Sequence, residues 1–220
     1  MKRLWFSQKN EPVSAWIHLL GLFFSIIGFV ILMVFTKEHG TLLHLIGFII
    51  FGVSLIFLYL VSTVYHFFPR FSRFKKILQR MDHMMIYIFM GSSYTPICLT
   101  IDNRACGWGL LAVAWGFALT GVIVKGLDLQ MKEWASVLMY VVFGLLLVSA
   151  TGPLLQWLPQ KGVGWMYGGG FLYLFGVIFY LLEDYGPRKI KAGLHETWHV
   201  FVVAGSYCHA WLMLKYVLYI

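Results

Sequence analysis

The sequence predicts an all-α fold of the membrane type, a bundle of seven transmembrane helices forming one domain over residues 1–220. Three observations predict it. The chain is 60% hydrophobic and only 12% charged, whereas a soluble domain carries about 25% charged residues; so few charges cannot cover a water-facing surface. Seven apolar stretches approach the roughly 20 residues a helix needs to cross the hydrocarbon core. Aromatic residues make up 18% of the chain, with 9 Trp, and such amphipathic rings settle at the two membrane interfaces. No break in composition marks a second domain.

The first span is expected at about 14–36, after Lys2, Arg3 and Lys9. Its charged start resembles a secretory signal, but the apolar run is too long and lacks a clear small-residue cleavage site, so a retained helix is expected. The second, about 43–66, and the third, about 83–101, flank the most basic loop, Pro69 to Lys76. The fourth is expected at about 107–125, the fifth at 135–157, the sixth at 165–182 and the seventh at 195–219. Short loops make neighbouring helices antiparallel.

Lys and Arg counts set the orientation. One side holds Lys2, Arg3, Lys9, Arg70, Arg73, Lys75, Lys76, Arg80, Lys125, Lys132, Arg188, Lys189 and Lys191, 13 of the 17, and the other holds Lys37, Arg104 and Lys161. Lys215 lies within the last helix and can snorkel outward. The N-terminus is therefore expected in the cytoplasm and the C-terminus outside. The net charge of +8 is split among these short loops, which fits membrane orientation and membrane lipids as partners; no nucleic-acid partner is expected. Cys98, Cys106 and Cys208 show neither a CxxC pair nor a framework spacing and read as small apolar residues.

Ionisable groups inside spans are costly and usually functional. Three clusters stand out, all at the cytoplasmic ends of helices. Glu11, Ser14 and His18 share one helical face. Ser62 and His66 lie one turn apart at the end of helix two, and Asp82 opens helix three. His195 and His199 lie one turn apart at the start of helix seven, a spacing that lets both imidazoles reach one metal ion. All three ends fall at similar depth, so His66, His195 and His199 form a candidate metal site. Three imidazoles and an open position suit a catalytic zinc, and Asp82 is a nearby acceptor for a water at the metal. The alternative for each histidine is a hydrogen-bonded packing role. His209 lies roughly 15–21 Å farther along the last helix at 1.5 Å rise per residue, so an interior polar contact is expected of it. His39 and His44 are expected at the interface.

His195-Glu196-Thr197-Trp198-His199 also matches H-E-x-x-H, the metalloprotease pattern in which Glu is the general base. An intramembrane protease would need a third ligand from another span, commonly acidic, and no Asp or Glu follows His199. Glu196 can instead serve the positive end of the helix dipole.

Together the motifs Glu11-x-x-Ser14-x-x-x-His18, Ser62-x-x-x-His66 with Asp82, and His195-x-x-x-His199 with His209 resemble the hemolysin III family, within the progestin and adipoQ receptor superfamily. Tyr94-Thr95-Pro96 after Gly91 is similar to that family's third helix. The resemblance covers nearly the whole chain. It implies a seven-helix bundle with a cytoplasm-proximal zinc held by His66, His195 and His199, and with Ser62 and Asp82 beside it. Related receptors are thought to hydrolyse ceramide-like lipid amides, so a lipid substrate is implied. A non-catalytic or cytolytic membrane protein with a structural zinc is the alternative. Relatives without a Glu at the Glu196 position argue against the protease reading. Nothing here corresponds to the long N-terminal domain of the adiponectin receptors, so hormone reception is not expected.

Overall fold

The computed structural model describes residues 11–69, 73–129, 131, 133–185 and 193–220. Of the basic residues that set the expected orientation, Lys2, Arg3, Lys9, Arg70, Lys132, Arg188, Lys189 and Lys191 lie outside the described residues. The described residues are helical, without strands, and run α1 (Pro12–His39), α2 (Leu42–Phe67), α3 (Arg73–Thr100), α4 (Arg104–Gly126), α5 (Glu133–Gly144), α6 (Leu146–Ser149), α7 (Thr151–Trp157), α8 (Gln160–Tyr185) and α9 (Leu194–Lys215). A 3-10 turn, Val217–Tyr219, ends the chain.

Among the described residues five helices, α1, α2, α4, α8 and α9, are long and apolar enough to cross a membrane; the bent α5 to α7 segment makes six if it counts as one span. Sequence neighbours pack side by side, and α9 also packs on α1, which brings α1, α2 and α9 together. The outward faces remain apolar: Trp16, Phe23, Phe24 and Val30 of α1 are each more than half exposed. A soluble protein rarely shows so continuous an apolar surface; lipid is its natural solvent.

Two helices depart from expectation. Asp82 does not open the third helix, because α3 starts at Arg73. Its first turns are rich in Lys, Arg and Gln, good helix formers that continue the helix past the apolar stretch by which a span is measured. The expected helix at 135–157 is broken, with α5 and α6 meeting α7 at 55°. Pro153 has no N–H to give and its ring clashes with the preceding turn, so a new helix starts with Pro153 in its first turn, where proline is tolerated. Nearby hydroxyls satisfy carbonyls at the break: Ser149 donates to Leu146 O at 2.6 Å, Thr151 to Val148 O at 2.7 Å and Tyr94 to Phe143 O. Such repair permits a broken helix at membrane depth.

Small residues set the close helix contacts. A Cβ on Gly47 would lie 2.7 Å from Pro96 Cα, so α2 rests directly on the backbone of α3. A Cβ on Gly21 would lie 2.9 Å from the Tyr59 ring, joining α1 to α2. Tyr59 in turn donates to Ser206 Oγ at 2.8 Å, joining α2 to α9.

Candidate metal centre

The polar clusters converge at one end of the bundle. α1 begins there with Glu11 as its N-cap residue and Pro12 at its first position, a place where a missing N–H costs nothing. The Glu11 side chain caps no backbone amide; its Oε2 accepts a hydrogen bond from His66 Nδ1 at 2.7 Å. That bond holds the Glu11 carboxyl at about 2, outweighing partial burial, so it is ionised at neutral pH. His66 comes from the last turn of α2 and is buried. α9 is preceded by Gly193 as its N-cap residue, whose φ of 83° falls in the left-handed region that glycine occupies without strain. Its first two turns present His195 and His199. The last turn of α8 adds Glu183, whose Oε2 accepts from His195 Nδ1 at 2.8 Å.

The rings of the three histidines expected to form the site lie near one another, but their donor atoms do not form one of the close groups found among the described residues. Ring centroids are 4.9 Å apart for His66 and His199, 4.5 Å for His195 and His199, and 5.7 Å for His66 and His195. A fourth imidazole joins them: His18 of α1 stacks on His66 at 5.2 Å, and its Nε2 lies 3.0 Å from His199 Nδ1. Donor atoms of His18, His66 and His199 all lie within 4.8 Å of one another, and so do those of Glu11, His66 and His195. Either group could hold a metal ion. His199 Nε2 and His18 Nδ1 are buried without a hydrogen-bond partner among the described residues. Buried polar atoms are normally paired, and an imidazole nitrogen left this way fits a metal ligand. Imidazoles backed by carboxylates suit zinc among several first-row metals.

Beside the imidazoles, Ser62, one turn before His66, donates its hydroxyl proton to Asp82 Oδ1. Both are buried. Asp82 shares this end with Glu11, which touches His66 directly. Glu196 lies in the first turn of α9, where an acid complements the helix dipole. His209 is outside both donor groups and stacks on Tyr173 at 5.5 Å. His44, expected at the interface, lies in the first turn of α2 and is 4% exposed; it completes a capping box with Thr41 and places Nε2 3.0 Å from Val217 O. His39 is exposed beside Glu38.

Sequence reasoning missed Glu183 and left Glu11 and His18 without a role. His18 was visible as the end of the Glu11, Ser14, His18 face. For Glu183 the only signal was an acid at the end of a span, 12 residues from His195.

The model of the Haemolysin-III related family matches residues 6–210. The chain is 35% identical to Hemolysin-3 of Bacillus cereus over 210 residues, covering 96% of this chain and 93% of that protein. It is 35% identical to the Hemolysin-3 homolog of Bacillus subtilis (strain 168) over 91% of each. A Homo sapiens relative, Monocyte to macrophage differentiation factor, is 25% identical over 174 residues, 76% of this chain and 68% of that protein. The chain belongs to the haemolysin-III related family and is an integral membrane protein.

Proposed function

We propose that this haemolysin-III related chain is a zinc-dependent membrane hydrolase of lipid amides or esters. His66, His195 and His199 hold the ion, and Asp82 is the proton acceptor. The observation that carries the reading is the convergence of imidazoles from α2 and α9, His66 and His199 buried and His195 half-buried, on the turn of α2 that follows the Ser62–Asp82 pair. Zinc, when bound, acts as a Lewis acid toward a carbonyl and makes water nucleophilic near neutral pH.

The chain's own groups do the rest. Asp82 accepts the proton of an attacking water and passes it to the leaving amine or alkoxide, so the amide or ester plus water becomes an acid plus an amine or alcohol. Ser62 has one hydroxyl proton and gives it to Asp82; it orients that carboxylate and has no second proton for a developing oxyanion. A lipid substrate would enter sideways from the bilayer. In this reading α3 and the bent α5–α7 segment complete seven spans, with the N-terminus in the cytoplasm.

A second reading is favoured by one observation, the fourth imidazole of His18. If His18 ligated the ion, the site would be closed and structural, and the protein a non-catalytic membrane factor; the word hemolysin in the relatives' names points in the same direction. Turnover separates the two. Purified protein in liposomes, offered a panel of long-chain amides and esters, should release fatty acid, and Asp82→Asn should retain zinc while losing turnover by about 100-fold or more. A wild type without zinc-dependent turnover across the panel would leave the structural reading in place.

A further inference from the structure

We infer that Glu11, Glu183 and His18 are positioning residues, one behind each metal ligand, and that all three ligands present Nε2 to the ion. The inference rests on the zinc assignment proposed above. Among the described residues each ligand meets a partner through Nδ1. Glu11 Oε2 accepts from His66 Nδ1 at 2.7 Å, and Glu183 Oε2 accepts from His195 Nδ1 at 2.8 Å. His18 Nε2 lies 3.0 Å from His199 Nδ1.

The consequence follows from imidazole chemistry. A neutral ring carries one proton, and the nitrogen without it is the ligand. A carboxylate can only accept, so Glu11 and Glu183 fix the proton of His66 and His195 on Nδ1 and leave Nε2 free. His199 obeys the same rule with a different partner. Its Nδ1–H can donate to His18 Nε2, which places the His18 proton on Nδ1. His199 Nε2 is then the free lone pair, one of two imidazole nitrogens in the cluster, with His18 Nδ1, that are buried without a hydrogen-bond partner among the described residues.

The opposite proton placement would free His18 Nδ1 instead, in a donor group with His66 and His199; in the first arrangement, the one inferred here, His18 orients His199 and one coordination position stays open. The three partners come from α1 and α8, helices that carry none of the ligands. Ligands on α2 and α9 are thus held in register by the two helices packed around them. A carboxylate behind a ligand also raises the basicity of its ring, and loss of such a partner typically weakens metal affinity 10–100-fold.

Two measurements test this. In the first, zinc affinity of the full chain in detergent is measured by chelator competition for wild type, Glu11→Gln, Glu183→Gln, His18→Leu and His66→Ala. Each positioning variant should bind about 10–100-fold more weakly yet reach the wild-type stoichiometry at saturating zinc. A variant that fails to fill at saturation, as His66→Ala should, would make its residue a ligand and overturn its assignment; a variant within twofold of wild type would overturn it as well. In the second, which needs no variant to fold, 15N spectra of histidine-labelled, zinc-loaded wild type should show protonated Nδ1 and metal-bound Nε2 on three rings. Zinc on Nδ1 of any of them would overturn the inference. A wild type that binds no zinc would overturn the zinc assignment itself, a result distinct from either failure.

Discussion

A buried imidazole must find something to do with two nitrogens, and the eight histidines solve this in different ways. His44 spends one nitrogen on the Thr41 cap and the other on the Val217 carbonyl, so it pins the start of α2 to the end of the chain. His209 lies flat against Tyr173, with Gly169 leaving room for its ring. His66, His195 and His199 each use Nδ1 within the cluster. The four-residue spacings in Ser62–His66 and His195–His199 made those side chains legible as pairs on helical faces. His44 was not legible, because a capping box whose second member is a histidine looks the same in sequence as an interfacial ring. Glu183 was hidden because it follows a span and precedes a loop, and nothing local says that its partner is 12 residues away. Long-range pairing of this sort is a property of packing, which periodicity does not encode.

Helices were legible wherever apolar length alone decides them. α1, α2, α4 and α8 differ from the expected spans only in their end residues. Length failed at α3, whose polar first turns reach beyond the apolar stretch, and at the break before α7, where Pro153 outweighs an otherwise continuous apolar run. Close packing between α2 and α3 yields a prediction at this scale. Gly47→Ala places a methyl 2.7 Å from the Pro96 Cα, and backbone there cannot rotate away. Overpacking of this kind costs about 1–3 kcal/mol, and it should lower the unfolding temperature in detergent. Gly28→Ala, with nothing within 4 Å of the added methyl, is the matched control and should unfold at or above the wild-type temperature, since alanine favours the helix. Equal behaviour of the two variants would show that α2 and α3 are not in backbone contact.

At the scale of the whole molecule, helix ends matter more than helix centres. α1, α3 and α9 start, and α2 and α8 finish, at the end where Glu11, Ser62, His66, Asp82, Glu183 and His199 gather. The same end carries Lys75, Lys76 and Arg80 in the first turns of α3. On the basic excess in the sequence, 13 against 3, this side is proposed to face the cytoplasm. A reporter fused after Ile220 should then be active only outside the cytoplasm; cytoplasmic activity would reverse the assignment. The central claim is the metal, and its content in purified protein tests it most directly. Wild type should carry about one zinc per chain, as a single site of this donor set holds one ion. His66→Ala, His195→Ala and His199→Ala should each lower it, while His44→Ala and His209→Ala, which remove buried imidazoles with other partners, should leave it nearly intact. A wild type free of zinc, or equal loss in all five variants, would contradict the account.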